Sequence, residues 1–112
     1  MTCDRWEVVA VPFPFSERPG AKLRPALVVS HRPFNRAGHS VLCMITTKAE
    51  PPWPADHRIS DHAAAGLALS CIVRLKLFTI DNRLIEKKLG RLANADRAAV
   101  GDRLESVLGS AR

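Results

Sequence analysis

The chain has 112 residues, which is enough for one domain with a single hydrophobic core. No segment approaches the ~20 apolar residues of a membrane span, and the N-terminus lacks the regions of a signal peptide, so we expect a cytoplasmic protein. Three cysteines without a pairing motif are typical of a reducing compartment rather than of a disulfide-stabilised fold.

The positive charge is concentrated in one part of the chain. Residues 18–48 contain no Asp or Glu. The basic residues of this stretch are Arg18, Lys22, Arg24, Arg32, Arg36 and Lys48. The chain has 17 Lys and Arg against 11 Asp and Glu, so these six account for the whole net charge of +6. A localised basic surface indicates an anionic partner; the alternative is a solvated face that serves solubility alone.

The first predicted strand runs from Val8 to Phe15. Pro12 and Pro14 lack an N–H, so we expect an edge strand or one that ends in a bulge. The polar segment Ser16–Leu23 contains Pro-Gly and predicts a loop between two antiparallel strands.

Two short apolar runs, Ala26–Val29 and Val41–Ile45, predict buried strands because they are rich in β-branched residues. The intervening segment Arg32–Gly38 predicts a turn. The proline-rich segment Glu50–Pro54 predicts a surface loop.

The second half of the chain begins with weaker signals. His57–Ile59 predicts a short edge strand, Ala63–Gly66 has no clear preference, and Ser70–Thr79 predicts another strand.

A helix is predicted near the C-terminus, with Asn94 as its N-cap and Asp96 outside its apolar face. The predicted apolar face consists of Val100, Leu104, Val107 and Leu108. Several short strands followed by one helix predict a mainly β fold, a small antiparallel barrel closed by an amphipathic helix. We expect a single domain over residues 1–112.

Arg24 is the first candidate functional residue. At the head of its strand it shares a face with Ala26 and Val28. Its guanidinium offers a fork of donors that matches two phosphate oxygens and can stabilise charge on a phosphodiester. The alternative is a structural arginine that pairs with a carboxylate of a neighbouring strand.

Further candidates lie at the end of one strand and within another. Thr46 or Thr47 could hydrogen-bond a phosphate or a ribose hydroxyl, or could simply cap the strand end. Arg74 interrupts an apolar run, so it needs a partner or a polar cleft, and Lys76 lies on the same side of the strand.

Metal and cofactor chemistry find little support. His39 with Cys43, and His57 with His62, lack further ligands at zinc-site spacings, and the histidines fall in predicted loops. No Gly-rich phosphate loop or nucleophile motif is present in the sequence. We therefore predict no metal and no cofactor.

Nearly the whole chain resembles the MazF/PemK toxins of type II toxin–antitoxin systems. The motifs that carry the resemblance are EVVAVPFPF, LRPALVVS, a strand ending in ITT, VRLKLFTID and KKLGRL. The resemblance implies an SH3-like barrel of the MazF/PemK/CcdB type that acts as a homodimer. It also implies a metal-independent, sequence-specific endoribonuclease that cleaves single-stranded RNA and is inhibited by an antitoxin with an acidic, disordered tail.

The resemblance also implies roles for individual residues. Arg24 and Thr46 match the catalytic arginine and threonine, for a reaction in which the ribose 2′-hydroxyl attacks the adjacent phosphate and leaves a 2′,3′-cyclic phosphate. The residues implied or predicted to bind the substrate are Arg74, Thr47, Lys22, Arg18 and Lys76. Relatives often carry an Asp where this chain has Lys76, so the resemblance assigns no general base here.

Two other functions fit the same fold. A relative of the CcdB toxin would poison DNA gyrase through its terminal helix and would not cleave RNA. A catalytically impaired relative would bind RNA through the basic stretch without cutting it.

Overall fold

The structure is a computed structural model that describes residues 1–13 and 22–110. Within these ranges the strands are β1 (Glu7–Phe13), β2 (Lys22–Val28), β3 (His39–Thr46), β4 (His57–Arg58), β5 (Ile72–Asp81) and β6 (Lys87–Arg91). The α-helices are α1 (Arg32–Asn35) and α2 (Asn94–Leu108), and a 3-10 turn covers Asn82–Leu84. None of the helices in these ranges has the length and apolar character to cross a membrane.

The strands form one antiparallel sheet in the order β4-β5-β3-β2-β1-β6. The predicted mainly β fold with a C-terminal helix is confirmed. The consecutive strands β1 and β2, β2 and β3, and β4 and β5 pair with each other, whereas β3 pairs with β5 and β6 pairs with β1 at the far edge.

Each face of the sheet supports its own core. In β2, Leu27 packs into a cluster with Val100 and Leu104 of α2, whereas Ala26 and Val28 pack into a second cluster on the opposite face. This alternation is the one predicted from the two-residue period of a strand. Arg24 therefore shares the face of the second cluster, because it lies two residues before Ala26.

The prediction of an edge position for β1 is wrong over most of the strand. β1 pairs with β2 along Val8–Phe13 and with β6 along Glu7–Ala10, and the register with β6 shifts between Val8 and Val9. Pro12 lies beyond the part that β6 pairs, so its missing N–H breaks no hydrogen bond on that side. Pro14 and most of the predicted loop, including Arg18, lie outside the described residues.

Two other local predictions need correction. The segment predicted as a turn contains the single helical turn α1, and the loop predicted up to Leu23 ends earlier because β2 begins at Lys22. The side chain of Asn35 in α1 is buried and donates to the carbonyls of Cys3 and Ser30, which fixes this turn against the N-terminus.

The C-terminal helix is confirmed, but three details of the prediction are wrong. Ala93 is the N-cap, and Asn94 is the first helical residue. Val100 and Leu104 are buried as expected, whereas Val107 and Leu108 are exposed in the last turn. Asp96, expected outside the apolar face, is fully buried because it accepts hydrogen bonds from the segment after β4.

Candidate functional site

A cleft of about 230 Å³ opens where the start of β2 meets the end of β3. The residues that line it are Arg24, Pro25, Ile45, Thr46, Thr47, Lys48 and Cys71. β2 and β3 run antiparallel, with Ala26 opposite Met44, so the head of one strand lies beside the tail of the other. The structure thus brings Arg24 together with Thr46 and Thr47, which are 22 and 23 positions away in the chain.

Arg24 is exposed at the rim of this cleft. Its guanidinium carbon lies 5.5 Å from the centroid of the Phe13 ring, which comes from the neighbouring strand β1. None of the ion pairs between described residues includes Arg24. The alternative of a structural arginine paired with a neighbouring carboxylate therefore finds no support within residues 1–13 and 22–110.

Thr46 is half-buried at the end of β3, and its hydroxyl oxygen accepts a hydrogen bond of 3.1 Å from the backbone N–H of Lys48. This contact is the strand-end capping that the sequence also suggested. A hydroxyl that accepts one hydrogen bond keeps its own proton as a donor, so Thr46 can still donate to a ligand in the cleft. Thr47 and Lys48 are exposed beside it.

Arg74 is buried and anchors the loop between β3 and β4. Its Nε and Nη2 donate to Oδ1 and Oδ2 of Asp56 at 3.1 and 2.8 Å. Nη2 also contacts the carbonyl oxygens of Lys48 and Pro51 at 3.3 Å each. Arg74 therefore folds residues 48–56 back onto β5, while its predicted contact with RNA stays a prediction.

Asp56 is the carboxylate that the sequence analysis missed. Hydrogen bonds from Arg74 hold the pKa of Asp56 below its ordinary value, and the same pairing raises the pKa of Arg74. Asp56 is thus ionised at neutral pH and is a weak proton acceptor. The only sequence signal for such a partner was the general need of a buried arginine for a counter-charge, which names no residue.

The two predicted substrate-binding lysines lie on the surface but do not line the cleft. Lys22 is exposed at the start of β2, and Lys76 is exposed on β5 with its Nζ 4.4 Å from the ring centroid of Trp53. Arg32, by contrast, lies within ion-pair distance of Asp4 and Glu7. Only part of the basic stretch therefore faces the cleft.

The cysteine in the cleft is a poor nucleophile. Burial raises the pKa of the Cys71 thiol, which keeps it protonated at neutral pH, and the thiol contacts the carbonyl of Leu69 at 3.3 Å. Among the residues that the structure describes, no three His, Cys, Asp or Glu side chains cluster as metal ligands.

Two histidines have structural partners rather than solvent alone. The Nε2 of His57, on β4, lies 2.8 Å from Oδ1 of Asp96, and the Nδ1 of His62 lies 2.8 Å from the carbonyl oxygen of Leu67. His57 lies in β4, the short edge strand predicted over His57–Ile59, rather than in a loop. Neither histidine lines the cleft.

Comparison with known proteins gives a consistent result. A family model described as PemK-like, MazF-like toxin of type II toxin–antitoxin system matches residues 4–108. A search of curated proteins gives no match.

Several solved structures share the fold. MazF in a MazE–MazF complex from Deinococcus radiodurans is 24% identical, with a TM-score of 0.78 over 99% of this chain and 100% of that chain. MazF alone from the same organism is 25% identical, with a TM-score of 0.75 over 98% and 99% of the two chains. A mycobacterial endoribonuclease in complex with its cognate antitoxin is 20% identical, with a TM-score of 0.66 over 96% and 94%.

Proposed function

The chain belongs to the PemK-like, MazF-like family of type II toxins, and on that premise we propose that it is a metal-independent endoribonuclease that cleaves single-stranded RNA. The observation that carries the proposal is the meeting of Arg24 and Thr46 at one cleft, with a guanidinium that no described carboxylate neutralises. A mycobacterial protein of the same fold is named an endoribonuclease, which agrees with this assignment.

The proposed reaction uses the substrate's own ribose as the nucleophile. The 2′-hydroxyl oxygen attacks the adjacent phosphorus and loses its proton, while the bond to the 5′ oxygen breaks and that oxygen gains a proton. The products are a 2′,3′-cyclic phosphate and a free 5′-hydroxyl. Negative charge develops on the phosphoryl oxygens in the transition state, so donors fixed beside them accelerate the reaction.

Arg24 and Thr46 have complementary roles in this scheme. The Arg24 guanidinium binds two phosphate oxygens and stabilises the phosphorane charge. The Thr46 hydroxyl donates to a phosphate oxygen while its oxygen remains tied to the backbone of Lys48. Thr47, Lys22, Arg18, Lys76 and Arg74 form the proposed surface that binds the rest of the RNA.

We also propose the assembly known from the family. The chain acts as a homodimer, and a cognate antitoxin with an acidic tail inhibits it by covering the basic surface. Complexes of this kind support the proposal, since a MazE–MazF pair and a mycobacterial endoribonuclease with its antitoxin share the fold.

Cleavage of single-stranded RNA in the presence of EDTA tests the activity directly. We expect wild-type protein to cut, and Arg24→Ala to lower the single-turnover rate by at least about 10²–10³-fold, because it removes the donor that stabilises the developing charge. Thr46→Val keeps the shape of the side chain without the hydroxyl and should lower the rate similarly. The free 5′-hydroxyl of the downstream product should accept a 5′ phosphate label directly, without prior phosphatase treatment.

Arg36→Ala is the matched control, because Arg36 is an exposed arginine of the same acid-free stretch beyond the opposite end of β2. We expect it to cut at nearly the wild-type rate. An Arg24→Ala protein that folds and cuts undiminished would overturn the proposed mechanism, and loss of wild-type cutting in EDTA would overturn its metal independence.

A further inference from the structure

Trp53 is an exposed aromatic residue on the loop between β3 and β4. Its residue surface is 42% exposed, which is unusual for a side chain of this size. The Lys76 ammonium lies 4.4 Å from the ring centroid, within the range in which a cation is attracted to the face of an aromatic ring. The indole is thus held against a positive charge while much of it stays in contact with solvent.

The loop that carries Trp53 is firmly attached to the sheet. The backbone N–H of Trp53 donates to Oδ2 of Asp56 at 3.0 Å, and the backbone carbonyl of Trp53 accepts from the backbone N–H of Asp56 at 3.2 Å. Asp56 is in turn held by the two donors of buried Arg74. An aromatic ring on an anchored backbone loses little conformational entropy when a ligand binds. The exposed Trp53 ring is therefore well suited to bind a ligand.

The position of Trp53 relative to the cleft is also constrained. Lys48 lines the cleft, and its carbonyl shares the Arg74 Nη2 with the carbonyl of Pro51. Trp53 follows Lys48 by five residues, so the two Cα atoms lie within roughly 18 Å even for an extended chain. A polymer bound at Arg24 and Thr46 can therefore pass over Trp53.

The surroundings favour one type of ligand. Arg24 and Lys48 offer positive charge in the cleft, and Lys76 offers it at the Trp53 ring. Single-stranded nucleic acid combines a negative backbone with flat bases, and proteins bind it through basic grooves with aromatic side chains on which the bases stack. An acidic protein segment would pair with these positive charges, but it has no flat base to stack on the Trp53 ring.

We propose that Trp53 is a stacking platform for a nucleobase of the RNA that flanks the cleaved phosphate, with Lys76 orienting the indole and contacting the neighbouring phosphate. This inference rests on the proposed function, because it assumes that single-stranded RNA is the substrate. It assigns part of the recognition surface to the loop after β3, outside the catalytic pair.

Binding to a labelled, mixed-sequence, 2′-O-methyl single-stranded RNA tests the inference without cleavage. We expect Trp53→Ala to weaken binding about 5- to 150-fold, the range for loss of one stacked base, and Trp53→Phe to restore most of it. In cleavage of the unmodified RNA, Trp53→Ala should raise KM in proportion and leave kcat nearly unchanged. Circular dichroism confirms that each variant is folded.

Phe34→Ala is the matched control, because Phe34 is an exposed aromatic residue on α1, away from the cleft. It should bind the RNA like wild type. An oligonucleotide of the same length with abasic sugars throughout should bind wild type and Trp53→Ala equally, since no base is left to stack.

The outcomes separate the inference from the proposed function. If the wild-type protein cleaves RNA and Trp53→Ala binds RNA as tightly as wild type, the stacking role is overturned while the proposed nuclease activity stands. Binding that depends on Trp53 without any cleavage would keep the stacking role and remove the nuclease. An equal loss on the abasic strand or on polyglutamate would show that Trp53 serves an acidic partner, which overturns the inference, as would a wild-type protein that binds no RNA.

Discussion

Asp96 is a buried carboxylate that connects the first turn of α2 to the segment after β4. Its oxygens accept hydrogen bonds from the N–H and hydroxyl of Ser60, from the N–H of Asp61 and from His57. Burial raises the pKa of Asp96, but these hydrogen bonds outweigh burial and hold the pKa below its ordinary value. The ionised form therefore stabilises the folded protein.

Asp96→Asn should lower the free energy of unfolding at neutral pH by about 1–3 kcal/mol, because the amide presents a donor where both carboxylate oxygens accept. A carboxyl with a lowered folded pKa stabilises the protein above its unfolded value of about 3.9 and loses this contribution as the pH falls below it. The difference between wild type and variant in urea unfolding should thus shrink below about pH 4.

Asp102→Asn is the control for this measurement, since Asp102 is exposed on the same helix and should change the free energy of unfolding by less than about 0.5 kcal/mol. A difference for Asp96→Asn that stays constant from pH 7 to pH 3 would show that the charge of Asp96 contributes nothing.

At the level of single residues, the sequence predicted positions better than partners. The two-residue period of β2 predicts the face of the sheet on which Arg24 lies, and the apolar run before Thr46 predicts where β3 ends. Asp56 and Asp96 were not assigned partners because Arg74 and His57 lie 18 and 39 positions away, and only the folded chain brings them together. Long-range ion pairs have no local pattern.

β6 and the turn before Leu67 pack closely against each other. The N–H of Arg91 donates to the carbonyl of Ala64 at 3.1 Å, which draws the two backbones together. A Cβ added at Gly90 would lie 2.4 Å from the carbonyl carbon of Ala65 and 2.6 Å from the nitrogen of Gly66. Glycine is therefore required at position 90 by the approach of another backbone.

Gly90→Ala should lower the free energy of unfolding by about 1–3 kcal/mol, since the added methyl group forces backbone to move in a packed region. Gly101→Ala, inside α2, is the opposite case: its Cβ would meet the Trp6 ring at an ordinary 3.9 Å. It should raise the free energy of unfolding by up to about 1 kcal/mol through helix propensity. Thermal and urea unfolding measure both, and an unchanged Gly90→Ala would contradict the packing argument.

This contact also explains which elements the sequence revealed. β2, β3 and β5 contain continuous apolar runs because both faces of the sheet carry a core, and all three were predicted. β6 was missed because Lys87–Arg91 holds three basic residues and a glycine at an edge, where pairing with β1 and contact with the turn define the strand. Its identity as a strand is a property of the assembled sheet.

The distribution of charge over the whole molecule determines where an anionic polymer should bind. The basic stretch yields the net charge of +6, but the structure divides it. Arg32 pairs with acidic residues near the N-terminus, whereas Arg24 and Lys48 line the cleft and Lys22 is exposed at the start of β2. The proposed path of the RNA runs along these last three residues and Lys76, which together are called the basic rim.

The salt dependence of RNA binding follows from this rim. Each phosphate contact to a single strand contributes a slope of about −0.7 in a plot of log K against log salt, so four contacts predict about a 50-fold loss of affinity from 50 to 200 mM salt. Lys48→Ala should lower the magnitude of the slope by about 0.7, because one contact is lost. Arg36→Ala, which removes an equal charge away from the cleft, should leave the slope nearly unchanged. Fluorescence anisotropy with the 2′-O-methyl RNA at four salt concentrations measures the slopes, and a flat plot would favour a protein-binding function of the gyrase-poison type over RNA recognition.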